Sequence, residues 1–201
     1  MDDDPHFRKI AQNEAVRVFT LNLDRLESTS SICQDHRFFY VVTSESESTD
    51  ILQDHAGISH RWRPGAARFV PGPEVHIIRN ETGTPHREVI VEILSKLEFN
   101  AFTDSSDRDN FPVSPGSGQA SWSVAVEHGA MSAVKSQLAP GYKLDAPGFT
   151  KVLIAVTDSM LNAIGRDFQL SKQDVEVLSP ESDFTITNTG RFPARFITIA
   201  F

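Results

Sequence analysis

The chain has 201 residues, with 27 acidic and 19 basic side chains and a formal charge of −8. A phosphate backbone is held by clustered Lys and Arg, and the nearest cluster here, Arg61, Arg63 and Arg68, is three residues spread over a Trp- and Pro-containing stretch, so nucleic acid is not expected as a partner. Hydrophobic residues at 39% and charged residues at 23% exclude global disorder.

The 14 Phe against 2 Trp and 2 Tyr favour a Phe-packed β interior over a helical bundle. A single cysteine, Cys33, excludes an internal disulfide framework and every multi-cysteine zinc or iron–sulfur pattern, and a reducing compartment is the default. The start, Met-Asp-Asp-Asp-Pro, is acidic where a secretory leader is basic and then apolar, and no apolar run approaches membrane length. The expected location is the cytoplasm, away from membranes.

Taken in chain order, residues 5–17 read as a short helix or an extended arm. Later apolar runs are short, rich in Val, Ile and Phe, and bounded by Gly, Pro, Asn, Asp or Ser. Strands are expected at Val16–Leu21, Phe38–Val42, Arg68–Val70, His76–Ile78 and Glu88–Leu94. In the second half they are expected at Ser121–Val126, Lys151–Val156, Met160–Ile164, Asp174–Leu178, Phe184–Thr187 and Arg195–Phe201. This spacing describes an all-β barrel or sandwich. Between the halves, Asn100 to Ala120 is polar and rich in Ser, Asp, Pro and Gly, which predicts a linker over 100–118 between domains at 1–99 and 119–201. The alternatives are a long loop within one domain, or one sandwich in which both halves share a core.

The two halves end alike. Asn80, Pro85 and Arg87 in the first correspond to Asn188, Pro193 and Arg195 in the second, each 108 residues on (188 − 80, 193 − 85, 195 − 87). Upstream, Phe39–Thr43 matches Leu153–Thr157, and Pro71 matches Pro180. An internal duplication follows.

The segment Gly65, Pro71, Gly72, Pro73, His76, Asn80 resembles the second motif of the cupin superfamily: a Gly, five residues, Pro, a Gly two later, then His and Asn four apart. Pro73 departs from the pattern, and in the second half Phe184 stands at the motif His. Such a segment makes a turn, then a strand placing one imidazole inside a barrel, then an Asn suited to a left-handed turn conformation. The resemblance covers roughly 14–95 and 120–201 and implies two tandem antiparallel jelly-roll barrels. Most cupins hold a divalent metal (iron, manganese, nickel or zinc) with a His-x-His pair, a Glu and the second motif's His. Aligned by the Phe39–Val42 run, those first three positions carry Ser31, Cys33 and Phe38 here, and Asp145, Pro147 and Val152 in the second half. The resemblance therefore implies an eroded metal site, with no cofactor expected and a metal conceivable only in the first barrel.

His76 is the sharpest candidate, as a pocket hydrogen-bonding group, a surviving metal ligand or a structural imidazole. His36 and His60 are the possible metal partners. Alternation along Ile58–Trp62 puts His60 and Trp62 on one face. Tyr40 shares a strand face with Phe38 and Val42, which places its hydroxyl in the first barrel, and Arg68 could present a guanidinium to a carboxylate or phosphate. Cys33 reads either as a pocket thiol or as a small buried hydrophobe. There is no Gly-x-Ser-x-Gly elbow, phosphate loop, dinucleotide fingerprint or His-Glu-x-x-His.

The leading function is a cupin-like small-molecule binding protein with its pocket in the first barrel, formed by His76, His60, Tyr40, Cys33 and Arg68. The alternatives are a metal-dependent dioxygenase or an isomerase acting on a sugar or organic acid through His76, and a dimeric interaction module. A homodimer is expected, with the acidic N-terminal segment carrying Phe7 and Ile10 crossing to its partner. The second interior, with Phe184 at the motif His, should be packed with apolar side chains.

Overall fold

In a computed structural model the chain divides into two compact units, Met1–Glu98 and Phe99–Phe201. The structure describes residues 1, 4–52, 57–94, 120–128, 131–146, 149–179 and 183–201; the expected linker, Pro147 and Pro180 lie outside these residues. The described residues contain strands and no helix.

The first unit contains β1 (Phe7–Gln12), β2 (Val16–Leu23), β3 (Ile32–Gln34), β4 (Arg37–Val42), β5 (Ser46–Leu52), β6 (Ile58–Trp62), β7 (Ala67–Val70), β8 (Glu74–Asn80) and β9 (His86–Ile93). The second contains β10 (Ser121–His128), β11 (Met131–Leu138), β12 (Lys143–Ala146), β13 (Thr150–Ala155), β14 (Ser159–Ala163), β15 (Arg166–Leu170), β16 (Val175–Val177), β17 (Phe184–Asn188) and β18 (Ala194–Ala200). All paired strands run antiparallel, and each unit is a jelly roll of one five-stranded and one four-stranded sheet. The first has orders β1-β2-β9-β4-β7 and β3-β8-β5-β6; the second has β10-β11-β18-β13-β16 and β12-β17-β14-β15. Adding nine to each strand number of the first unit yields the second, so the duplication is complete in topology.

This repeat gives the N-terminal segment a place. Neither a helix nor a segment outside the repeat, residues 7–12 form β1, which pairs with β2 along Phe7↔Leu21 and Arg8↔Thr20; its counterpart is β10 on β11. The pairings also correct one alignment. Tyr40 faces Ile90 and Arg68, while Leu153 faces Thr198 and Glu176. Because 198 − 90 and 176 − 68 are both 108, the counterpart of Tyr40 is Leu153, at an offset of 113 rather than the 114 implied by matching Phe39 with Leu153.

Two motif positions have clear physical roles. Gly65 has φ of 90° and Gln173, at 65 + 108, has φ of 80°. Gly65 N–H donates to Val42 O and Gln173 N–H donates to Ala155 O, so both close the same turn. A left-handed backbone suits Gly and strains Gln. The motif Asn acts otherwise than expected: neither Asn80 nor Asn188 has positive φ. The buried Asn80 amide instead donates to the carbonyls of Leu23, Asp24 and Thr84 and accepts from Thr82 N–H, tying β8 to two loops. Asn188 does the same with Leu138 O, Phe192 O and Gly190 N–H.

Residues opposite one another on antiparallel strands share a face. Between the sheets of the first unit lie Phe19, Leu21, Leu23, Ile32, Phe38, Tyr40, Val70, Ile78 and Ile90. The second interior is lined by Leu138, Leu153, Leu161, Phe168, Leu170, Leu178, Ile186 and Phe196, with Leu144 and Phe184 packed against it.

Candidate functional site

The inward face of β5 is polar. Its sequence, Ser46-Glu47-Ser48-Thr49-Asp50, alternates with period two, and Ser46, Ser48 and Asp50 are the buried members. Pairing sets Ser48 beside His60 on β6 and Asn80 on β8, and sets Leu52 beside His76. From the facing sheet, β4 supplies Tyr40, β7 supplies Arg68 directly opposite it, and β9 supplies His86 and Glu88.

Two polar clusters result. In the first, the Tyr40 hydroxyl and His76 Nε2 share a 2.7 Å hydrogen bond, both residues being buried. Arg68 donates to Asp50 Oδ2 at 3.0 Å and approaches Glu74 Oε1 at 4.0 Å. His60 stacks on Trp62 with ring centroids 4.9 Å apart, and its Nε2 lies 3.5 Å from Asp50 Oδ2. The second cluster is a relay: Ser46 Oγ to His86 Nδ1 at 2.7 Å, then His86 Nε2 to Glu88 Oε1 at 2.7 Å, with all three side chains buried. Arg68, His60 and Glu74 are partly exposed, at 33%, 27% and 19% of their side-chain surface, and form the solvent side of the first cluster.

Burial governs the electrostatics. Asp50 is pushed up to about 7, first by desolvation and then by the Glu88 charge, with Arg68 pulling the other way. Desolvation holds His76 down at about 4 and lowers His60, so both imidazoles are predominantly neutral near pH 7. Desolvation and the charges of Glu88, Asp50 and Glu74 push the Tyr40 hydroxyl well above its usual range. His60 Nε2, His76 Nδ1 and Glu88 Oε2 are buried without a hydrogen-bond partner, three of the five such side-chain atoms among the described residues.

Four of the sequence candidates come together here: His76, Tyr40, His60 and Arg68. Cys33 does not. It is exposed on β3, its thiol 3.5 Å from Asp35 Oδ1, and that carboxylate holds the thiol above its usual range. His36 is also elsewhere, its Nδ1 3.0 Å from Glu92 Oε1 beside Arg17. Sequence reasoning missed Asp50, Glu74, His86, Glu88 and the β5 serines. A signal existed for two of them: His86 and Glu88 alternate with Ile90, and their counterparts 108 residues on, Ala194 and Phe196, are apolar.

The metal-ligand set that most cupins carry is not matched by these side chains. Among the described residues no group of three or more His, Cys, Asp or Glu is placed to hold a metal ion. His76 Nε2 is engaged by Tyr40, while Ser31, Cys33 and Phe38 offer no set of ligands. A groove of about 550 Å³ lies on the second unit between β14, β15 and the turn after β17, lined by Met160, Leu170, Arg191 and Phe192 among others. Among the described residues no buried unpartnered side-chain atom belongs to its lining.

No protein-family model matches the chain, and no curated protein matches it. Solved structures do. AerE from Microcystis aeruginosa is 12% identical with a TM-score of 0.66, covering 98% of this chain and 97% of that one. A cupin 2 conserved barrel domain protein from Leptotrichia buccalis is 11% identical with a TM-score of 0.59, covering 96% and 87%. Salicylate 1,2-dioxygenase from Pseudoaminobacter salicylatoxidans is 10% identical with a TM-score of 0.62, covering 92% and 68%. Together with the repeated topology, these likenesses establish that the chain carries the cupin fold, built as two tandem jelly rolls.

Proposed function

We propose that the first unit binds a small polar molecule between its sheets, contacted by Tyr40, Asp50, His60, Arg68, His76 and Glu88. The observation that carries this reading is the set of three buried polar atoms without partners, on β6, β8 and β9. Each unpaired buried group costs on the order of 1–3 kcal/mol, so a fold keeping three in one interior has a use for a molecule that pairs them. The second unit, whose aligned interior positions are almost all apolar, serves as a structural counterpart. Calorimetric titration of ligand candidates against the wild type and His76→Ala tests this: loss of binding in the variant is expected, and unchanged binding overturns it.

A second reading, proton-transfer chemistry on the bound molecule, is favoured by one observation. Asp50, held at about 7 beside Arg68, exchanges a proton near neutrality, as a general acid or base must. The Tyr40–His76 pair is the other proton-bearing group in reach of the same interior. This favours the isomerase among the enzymatic alternatives over a metal-dependent dioxygenase. Asp50→Asn should then abolish turnover while retaining binding. A homodimer remains part of this proposal, now with β1 as an edge strand available to a second copy; sedimentation at tens of micromolar tests it.

A further inference from the structure

Resting on the binding reading above, the structure assigns the class of ligand: we infer that the first barrel selects a hydroxyl- or amine-bearing molecule that is neutral or cationic, and rejects carboxylate anions. The first ground is the supply of donors and acceptors. Arg68, the one guanidinium of the cluster, already donates to Asp50 Oδ2 at 3.0 Å and lies 4.0 Å from Glu74 Oε1. Part of its charge is thus met inside the protein before any ligand arrives. Three carboxyl groups, Asp50, Glu74 and Glu88, thus surround the site against one guanidinium.

The second ground is the unpaired atoms themselves. Glu88 Oε2 is a buried carboxylate oxygen with one side unmet, and it can only be matched by a donor. His76 Nδ1 is buried and unpaired, 3.7 Å from Glu74 Oε2, and His60 Nε2 is 3.5 Å from Asp50 Oδ2. Each imidazole nitrogen is flanked by a carboxyl oxygen, so a group inserted beside it is best matched when it donates to that oxygen while it pairs with the ring. A hydroxyl does both, and an ammonium donates to the carboxyl groups; a carboxylate does neither and sets like charges together. Beside these groups the His60 ring, stacked on Trp62 and partly exposed, is the aromatic surface nearest to solvent.

The test uses the full chain labelled with ¹⁵N and a fragment set divided equally between hydroxyl- or amine-bearing members without a carboxylate and carboxylate-bearing members of equal size. Glucose, glucosamine and glucuronate are included as a matched trio on one ring. Binding is read as shifts of amide resonances in β4, β5 and β8. Neutral and cationic fragments should dominate the hits, with glucuronate about tenfold or more weaker than glucosamine. Glu88→Gln, which keeps shape, should narrow that difference, and Tyr40→Phe serves as the site control should His76→Ala fail to fold. Hits dominated by carboxylates and lost in Arg68→Gln would overturn the assignment while leaving the binding reading intact. Absence of any hit in those strands would overturn the binding reading itself.

Discussion

The two jelly rolls share the same strand orders in both sheets, yet their interiors differ at many matched positions. Tyr40 corresponds to Leu153, Ser48 to Leu161, Asp50 to Ala163, His60 to Phe168, Trp62 to Leu170, His76 to Phe184, His86 to Ala194 and Glu88 to Phe196. Leu23, Ile78 and Asn80 are retained as Leu138, Ile186 and Asn188, and Ser46 as Ser159, but the partner of that serine changes: Ser46 pairs with His86, whereas Ser159 donates to the nearby Thr157 carbonyl. A jelly roll therefore does not need a polar interior to form. The first unit carries one against the hydrophobic trend, whereas the second builds the same architecture around a largely apolar core.

The largest expected effect comes from exchanging the two characters. Phe196→Glu places in the second interior the residue its counterpart carries, without the His86 that supports it, and an unpaired buried charge should cost more than about 4 kcal/mol, preventing cooperative unfolding of that unit in a urea titration. Near-wild-type stability would show that the second core tolerates polarity. Phe196→Ala should cost about 3–5 kcal/mol because the side chain is fully buried. Phe184→Ala should cost about half of that or less, because Phe184 is only partly buried, a smaller loss than full burial at the motif position would give.

In the first unit, His86→Ala removes a buried ring bonded on both nitrogens and leaves Ser46 and Glu88 without it, which should cost about 2–4 kcal/mol. A loss below about 1 kcal/mol by thermal melting would mean water replaces the relay easily.

A subtler effect lies in pH dependence. Asp50 is held at about 7 against 3.8 unfolded, so between those values the folded chain keeps a proton that the unfolded chain has lost, and stability falls as pH rises. His76 is held at about 4 against 6.5 unfolded, so between about 4 and 6.5 the folded chain carries the smaller share, and stability rises with pH. The two slopes oppose in the wild type. Asp50→Asn should leave stability rising from pH 4 to 6.5, and His76→Gln should leave it falling towards pH 7, as read from urea midpoints. Identical profiles for all three proteins would remove both groups from the balance. The smallest effect belongs to Asp4: burial raises its pKa, but hydrogen bonds from Ser30 and His6 outweigh it and hold the carboxyl at about 2. Asp4→Asn should weaken the chain by about 1 kcal/mol at neutral pH and by less as pH falls towards 2, measured the same way.

Much of the fold was legible because its signals are local. Val-, Ile- and Phe-rich runs between turn residues marked β2, β4, β9, β13 and β18, and the 108-residue offset exposed the duplication through turn residues that must recur wherever the same turn recurs. The polar strand β5 escaped for the reason that makes it matter: its buried face is Ser46, Ser48 and Asp50, so a search for apolar runs passes over it. β11 escaped in the same way, with Lys135 and Ser136 fully buried in its middle.

By itself, then, the sequence determined an all-β chain in two similar halves, an interior position for Tyr40, and one motif histidine in the first half replaced by Phe184 in the second. What only the tertiary structure decided is which polar side chains meet. Asp50 and Arg68 are 18 residues apart, and Tyr40 and His76 are 36 apart. Each pair joins opposite sheets of the jelly roll, and a contact across two sheets is set by strand order and register, which no local run of residues encodes.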